Sequence, residues 1–245
     1  MISDRYELIY WPVLQGRGEF VRLALEAARA DYVDVARLPE DEGGGIPAVL
    51  QVLKGDHPGA PPFAPPILRH QGALIAQTAA ILHYLAPRIG LAPNDEVPRI
   101  HALQYQLTIT DWVAEVHDTH HPVSTGLYYE DQKKEAAKRA KSFREQRLPK
   151  FLGYFERALA SSGGPYLFGG EPTYPDLSVF QVLEGLSYAF PRAFAATSKQ
   201  APGLRKLSKL VRKLPNIAAY LASERRIPFN EDGIFRRYPE LDSPE

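Results

Sequence analysis

The chain has 245 residues, of which 44% are apolar and 24% charged, a composition typical of a folded globular protein with a sizeable core. Its 29 basic and 29 acidic side chains balance, which argues against a general electrostatic attraction to nucleic acid or to anionic membranes. Because the sequence contains no cysteine, disulfides, thiolate metal sites and a cysteine nucleophile are excluded.

The first eleven residues (MISDRYELIYW) lack the basic segment and the long apolar segment of a secretory signal. No stretch of the chain approaches the roughly 18 consecutive apolar residues that a membrane-spanning helix needs. We therefore expect a cytoplasmic protein that has no membrane partner.

Residues 6–10 (YELIY) predict a short buried strand, which Pro12 brings to an end. The apolar residues of 18–30 follow helical spacing, and residues 32–35 (YVDV) predict a second strand. Strand, helix and strand in this order indicate a βαβ unit with a parallel pair of strands.

Glycine and proline dominate the next part of the chain. Residues 39–47 (PEDEGGGIP) predict an acidic, glycine-rich loop, and residues 55–66 (GDHPGAPPFAPP) are too rich in proline and glycine for a regular element. We therefore expect the middle of this domain to be irregular.

A β-hairpin is predicted next. The runs 67–70 (ILRH) and 73–76 (ALIA) have strand character and are separated by the turn dipeptide Gln71-Gly72. A short helix, 79–85 (AAILHYL), is predicted to follow the hairpin and to complete a ββα unit.

The composition changes at 91–98 (LAPNDEVP), which we interpret as a linker between a first domain, 1–90, and a second domain, 99–245. The second domain shows no strong strand signal. Its helical periods cover about 99–121, 131–160, 176–190, 203–213 and 215–224.

Two features mark the second half of this domain. Thr173 and Asp176, three residues apart and directly before an apolar run, predict a capping box at the start of a helix. The tail, 225–245, is interrupted by proline and is expected to lie over the surface.

A βαβ–ββα domain joined by a short linker to an all-helical domain resembles the cytosolic glutathione transferases over almost the full length of the chain. The resemblance implies a thioredoxin-like N-terminal domain followed by an all-helical C-terminal domain that includes the capping box. It also implies a cytoplasmic homodimer that uses glutathione as co-substrate and does not depend on a metal.

Tyr10 matches the tyrosine that ends the first strand in the tyrosine-type members of this family. The resemblance implies that its hydroxyl donates a hydrogen bond to the sulfur of glutathione. A thiol with a pKa near 8.5 is mostly protonated at neutral pH, so a donor aimed at the sulfur stabilises the reactive thiolate. Tyr10 is therefore the predicted catalytic residue.

The resemblance also assigns residues to glutathione binding. Arg17, within Gly16-Arg17-Gly18, is expected near the charged ends of the peptide. Gln77 and Thr78 are expected to take the γ-glutamyl carboxylate at a helix N-terminus, which is a favourable anion site.

Pro66 matches the family's cis-proline, and the residue before it is expected to pair through its backbone with the cysteinyl part of glutathione. Here that residue is Pro65, which has no N–H group. Two arrangements are open: either the cis bond precedes Pro65 and Ala64 makes the contact, or glutathione loses one hydrogen bond. Contacts to the glycyl carboxylate within 39–62 are not located.

The resemblance implies that the helical domain, around 108–128, supplies an apolar pocket for a small hydrophobic electrophile. The candidate pocket residues are Trp11, Asp111, Trp112 and Glu115.

His117-Asp-Thr-His-His121 is one step from the H-E-x-x-H zinc motif. However, aspartate is shorter than the glutamate of that motif, Pro122 ends the helix, and no third ligand is evident. We expect these histidines to line the cleft between the domains rather than to bind a metal.

The predicted function is that of a detoxifying glutathione S-transferase, which transfers alkyl or aryl groups to the glutathione thiolate. The alternative is a protein of the same fold that binds or carries ligands without catalysis. The proline at position 65 and the divergent 39–62 segment favour the alternative.

Overall fold

The computed structural model describes residues 5–55 and 59–242. The four strands of the N-terminal domain are β1 (Tyr6–Ile9), β2 (Tyr32–Asp34), β3 (Ile67–His70) and β4 (Ala73–Ala76). They form one sheet in the order β2-β1-β3-β4, in which β1 and β2 are parallel and the other two pairs antiparallel. The predicted parallel pair and the predicted hairpin are confirmed. Gln71 and Gly72 both have positive φ, as a tight two-residue hairpin turn requires.

The α-helices of this domain, within the described residues, are α1 (Gly18–Ala27), α2 (Gly45–Lys54) and α3 (Thr78–Leu85). The helix α2 corrects the prediction of an irregular middle. Pro47 is tolerated there because it lies in the first helical turn, and Ala48, Val49 and Val52 bury one face of the helix. The glycines at 43–45 concealed this short amphipathic pattern.

Among the residues that the structure describes, the regular elements of the C-terminal domain are helices joined by loops. Its helices are α4 (Glu96–His117), α5 (Lys133–Ser142), α6 (Leu148–Ser161), α7 (Tyr174–Ala189), α8 (Pro191–Thr197), α9 (Pro202–Lys213), α10 (Pro215–Leu221) and α11 (Pro239–Asp242). A stretch of π-helix, Phe143–Arg147, joins α5 to α6. The helix α4 starts inside the predicted linker, and α8 was not predicted.

The two domains share one core. The sheet has apolar clusters on both faces, and α1 and α3 pack their outer faces against the helical domain through Phe20, Leu23 and Leu82. A continuous core of this kind fixes the β1–α1 connection relative to the helices of the second domain.

The predicted capping box is present. The Thr173 side chain caps the start of α7, and Asp176 accepts hydrogen bonds from the Thr173 N–H at 2.8 Å and from the Thr173 hydroxyl at 2.7 Å. Burial raises the pKa of the Asp176 carboxyl to about 6. The tail, which was predicted to lie over the surface, also contributes to the core, because Ile234, Phe235 and Leu241 are buried.

Candidate functional site

Tyr10 follows β1 and lies beneath the turn into α1. Its side chain is only 6% exposed, and its hydroxyl oxygen accepts the Arg17 backbone N–H at 2.9 Å. A Cβ on Gly16 would lie 2.0 Å from that oxygen, and a Cβ on Gly18 would lie 2.6 Å from the ring. The two glycines are therefore required by the close approach of Tyr10, and Gly16 also has a φ of +44°. We call residues 10–18 the Tyr10 loop.

The environment of Tyr10 keeps its hydroxyl neutral. Burial raises the pKa of Tyr10 above its ordinary value, and the Arg17 N–H only partly opposes this effect. Because the phenol oxygen accepts the backbone N–H, this hydrogen bond does not consume the hydroxyl proton. A neutral phenol held in this way has a proton to donate to an acceptor such as a thiolate sulfur.

Pro66 is the cis-proline. The peptide bond between Pro65 and Pro66 is cis, which rules out the arrangement in which the cis bond precedes Pro65. Pro65 therefore precedes the cis bond and offers a carbonyl oxygen but no N–H to a bound peptide. Of the two arrangements predicted from the sequence, the one with a missing hydrogen bond is consistent with the structure.

Gln77 and Thr78 begin α3 beside the Tyr10 loop. The Thr78 hydroxyl donates to the Arg17 carbonyl oxygen at 3.4 Å, which brings two of the predicted glutathione contacts together. Gln77 has a φ of 71°, a turn that starts the helix directly after β4. The free N–H groups at this helix N-terminus favour an anion.

A cavity of about 460 Å³ opens between α3 and α4, within the size range of small-ligand sites. Arg17, Gln77 and Thr78 line one end of it. Most of its remaining wall is apolar and consists of Phe20, Ala79, Ala80, Leu103, Leu107, Ile109 and Val113. The cavity thus combines a polar end with a larger apolar surface.

The candidate pocket residues do not lie in this cavity. Trp112 is fully buried in the core of the helical domain, where its ring stacks on Phe151 with a centroid distance of 5.1 Å. Since α4 turns this residue inward, its indole cannot line an open pocket. Trp11 packs instead against the apolar cluster on the α2 side of the sheet.

Asp111 and Glu115 lie on another face of α4, beside a second surface cavity. Arg147 holds the Glu115 carboxylate with a closest distance of 2.6 Å. Burial alone would raise the pKa of Glu115, but the Arg147 and Arg139 guanidinium groups hold it below its ordinary value. Glu115 is therefore a partner in a structural ion pair and does not face the first cavity.

His117, His120 and His121 form a compact group at the end of α4, which we call the histidine cluster. Their ring centroids lie 4.7–5.0 Å apart. The Nε2 of His120 donates to the Ile234 carbonyl oxygen at 2.8 Å, and its Nδ1 lies 2.5 Å from the Nδ1 of His121. The tail therefore covers the cluster through a backbone contact that the sequence did not reveal.

Burial keeps these imidazoles neutral. It lowers the pKa of His117 to about 4 and of His120 to about 3, with smaller contributions from neighbouring positive charge that includes Arg236. The positive charge of Arg17 adds to this effect on the pKa of His117. In the part of the chain that the structure describes, no group of three or more ligand-type side chains is arranged to hold a metal ion.

Sequence comparison agrees with this arrangement. A family model described as "Glutathione S-transferase, C-terminal domain" matches residues 117–224. The chain is 26% identical over 213 residues to a glutathione S-transferase of Plasmodium yoelii yoelii, which covers 86% of this chain and 90% of the relative. It is 28% identical over 229 residues to glutathione S-transferase 1 of Ascaris suum, which covers 92% and 99%.

Among solved structures, the glutathione S-transferase from Ascaris lumbricoides superposes with a TM-score of 0.64 at 26% identity, covering 89% of this chain and 96% of that one. The fold is thus that of a thioredoxin-like domain followed by a transferase-type helical domain. Residues 117–224 therefore match the C-terminal part of the glutathione S-transferase family, and the chain is similar in sequence to glutathione S-transferases over 86–92% of its length. Within residues 5–55 and 59–242, no helix is long and apolar enough to cross a bilayer.

Proposed function

We propose that this chain is a glutathione transferase in which Tyr10 activates the thiol of bound glutathione. The observation that carries the proposal is the state of the Tyr10 hydroxyl. It is kept neutral by burial, and its oxygen accepts the Arg17 N–H while its proton remains available. Such a donor stabilises a thiolate and lowers the pKa of the thiol.

Glutathione binding is assigned to the residues around this hydroxyl. Gln77 and Thr78, at the N-terminus of α3, suit the γ-glutamyl carboxylate, and Arg17 adds positive charge at the same end of the cavity. The Pro65 carbonyl oxygen accepts a hydrogen bond from the cysteinyl N–H of glutathione. The reciprocal hydrogen bond is missing because Pro65, the residue before the cis bond, has no N–H group.

The second substrate is a small hydrophobic electrophile. The apolar wall between α3 and α4 suits such a molecule better than the zwitterionic peptide. The thiolate sulfur forms a bond to the electrophilic carbon, and a leaving group departs with the electron pair of the broken bond. Holding both reactants in one cavity adds the benefit of proximity to that of thiol activation.

The wider role is assigned by family resemblance. We propose a cytoplasmic homodimer that detoxifies electrophiles by alkyl or aryl transfer. The relatives are glutathione S-transferases, and this is the activity that we carry over to this chain.

The test is the substitution Tyr10→Phe, which removes the hydroxyl and keeps the ring between Gly16 and Gly18. Turnover with a generic aryl halide should fall about 100-fold or more, the usual effect of losing one donor to a developing anion. Affinity for glutathione should stay nearly unchanged, because the peptide contacts remain. Tyr84→Phe is the matched control, since the Tyr84 hydroxyl is paired with His70 at 2.9 Å. Full turnover in Tyr10→Phe would disprove the role of Tyr10.

The alternative is a non-catalytic glutathione-binding or carrier protein, which the missing N–H at Pro65 favours. Calorimetric titration of the wild-type protein with glutathione, combined with a turnover assay, separates the two. Heat of binding with turnover supports the transferase. Binding without turnover supports the carrier. If millimolar glutathione produced neither heat nor a thermal shift, both hypotheses would be excluded, because each requires glutathione binding.

A further inference from the structure

A group of polar side chains is buried where the Tyr10 loop and α1 meet the helical domain. We call it the interdomain network. Its members are Gln15, Glu19, Arg22, Asp34, Gln181, Tyr220 and Arg226. They come from distant parts of the sequence, yet they form one connected set of hydrogen bonds. Connected polar networks of this kind specify a unique arrangement of the elements that they join.

One branch connects the Tyr10 loop, through α7, to residues 226–230, which we call the C-terminal segment. The Nε2 of Gln181 donates to the Oε1 of Gln15 at 2.8 Å, and the Oε1 of Gln181 accepts from Arg226 at 2.9 Å. The Gln15 amide also donates to the Ile227 carbonyl oxygen. Gln181 is fully buried, so its donor and its acceptor are both used within the protein.

A second branch runs through charged groups. The Glu19 carboxylate, fully buried, accepts from Arg226 and from the Tyr220 hydroxyl, the latter at 2.7 Å. Arg22 donates to the Leu14 carbonyl oxygen at 3.1 Å, and its guanidinium carbon lies 5.7 Å from the centre of the Tyr10 ring. The charged branch therefore reaches both the loop backbone and Tyr10 itself.

The C-terminal segment holds the loop at one more point. The Asn230 side chain donates to the Val13 carbonyl oxygen at 2.9 Å. Together with the contacts at Gln15, this places residues 226–230 against the Tyr10 loop.

We propose that Arg226 and Gln181 are positioning residues, which hold the Tyr10 loop so that the Arg17 N–H remains on the Tyr10 hydroxyl. This inference rests on the proposed role of Tyr10. Displacements of about 1 Å at a reacting group cost large factors in rate, so a loop that carries such a group must be held. The helical domain, through two side chains far from Tyr10 in sequence, provides that support.

Removal of Arg226 should leave the fold intact. Glu19 would keep its hydrogen bond from Tyr220 and its ion pair with Arg22, so its charge would stay compensated. The loop, in contrast, would lose the guanidinium that orients Gln181 toward Gln15. Arg226→Gln therefore separates an effect on the loop from general unfolding.

Arg225 is the matched control. It is the preceding residue, carries the same charge, and pairs with Glu26 at 2.9 Å on the exposed side of α1. The hydrogen bonds of its side chain do not involve the Tyr10 loop among the residues that the structure describes. Arg225→Gln should consequently leave both the loop and the activity as in the wild type.

The experiment combines hydrogen exchange with kinetics. In Arg226→Gln we expect the amide of Arg17, followed in peptides covering 11–19, to exchange about tenfold faster, the factor for losing one hydrogen bond to a charged group. The lower pKa of the pH profile of kcat/KM should shift upward, because the thiolate is less well stabilised. Gln181→Leu should act in the same direction, and Arg226→Lys should restore part of the protection.

The outcomes are distinct. Unchanged exchange and an unchanged pH profile in both Arg226→Gln and Gln181→Leu overturn the proposal. So does an equal change in Arg225→Gln, or faster exchange with an unchanged pH profile. If the wild-type protein shows no transferase activity, the proposed function fails, while the exchange difference between the Arg226 and Arg225 variants still decides whether the network holds the loop.

Discussion

The interdomain network and the histidine cluster both bury ionisable side chains, and they stabilise them in opposite ways. The interdomain network contains Glu19 and Arg22, both with fully buried side chains, and pairs them with each other and with Asp34 and Arg226. The histidine cluster has no buried carboxylate partner among the described contacts and keeps its imidazoles neutral. A buried ionisable group is stable if it is paired with a group of opposite charge, or if it remains in its neutral form.

The difference has a functional consequence. Groups that are mutually ion-paired hold one another in one arrangement, which suits the support of the Tyr10 loop. Neutral imidazoles depend on remaining unprotonated, so their arrangement with the tail is sensitive to acid. The two groups should therefore respond differently to substitution and to pH.

The largest effect is expected from Arg22→Met, which removes the central cation and fills its volume. Asp34 would lose its partner at 2.6 Å, and Glu19 would lose one of its two arginines. Breaking a buried ion pair on one side typically costs about 3–5 kcal/mol. Urea unfolding monitored by fluorescence should show a loss of this size in the free energy of unfolding.

Arg225→Met is the control for that loss. Arg225 pairs with Glu26 but is itself 57% exposed, and exposed pairs contribute about 1 kcal/mol or less. If the two variants lost similar stability, the contrast between a buried network and a surface pair would not hold.

The second prediction concerns acid. Unfolded histidine titrates near pH 6.5, whereas burial lowers the pKa of His117 to about 4 and of His120 to about 3. Between these values the unfolded chain binds more protons, so the free energy of unfolding falls as the pH drops. Each imidazole that stays neutral contributes a slope of up to about 1.4 kcal/mol per pH unit.

The slope is measured by urea unfolding at several pH values from 7 down to 4.5, in the wild type and in His120→Asn. Asp176 has a raised pKa of about 6 and opposes the effect, but it is present in both proteins and cancels in their difference. The variant should be less stable than the wild type at pH 7 and should lose less stability on acidification. Parallel pH curves would contradict a neutral, buried His120.

The elements that a short pattern encodes could be predicted from the sequence. The hairpin follows from strand runs around Gln71-Gly72, and the start of α7 follows from Thr173 and Asp176, because both depend on neighbouring residues alone. The helix α2 was missed because glycine and proline surround it and its buried face is short. The local helix propensity of this segment is weak, and its packing against the rest of the domain determines that it is helical.

The candidate site also contains residues that the sequence could predict and residues that it could not. Tyr10, Arg17, Gln77 and Thr78 lie at the ends of predicted elements, and the structure brings them together. Trp112 was misplaced because the sequence does not show which face of α4 turns toward the core. Arg226 and Gln181 could not be found, since hydrogen bonds between residues so far apart in sequence leave no local pattern.

The smallest effect is expected from Gly185→Ala, which tests whether the tail links the two polar groups. A Cβ on Gly185 would lie 2.3 Å from the Phe235 ring, next to Ile234, whose carbonyl oxygen accepts from His120. Overpacking of this kind costs about 1–3 kcal/mol.

Because displacement of the tail exposes the histidine cluster, we expect the pKa of His120 to rise toward its ordinary value in an NMR titration. Since Arg226 and Asn230 precede this contact and hold the Tyr10 loop separately, exchange at the Arg17 amide should stay as in the wild type. Faster exchange at Arg17 would instead mean that the tail acts as one unit on both groups.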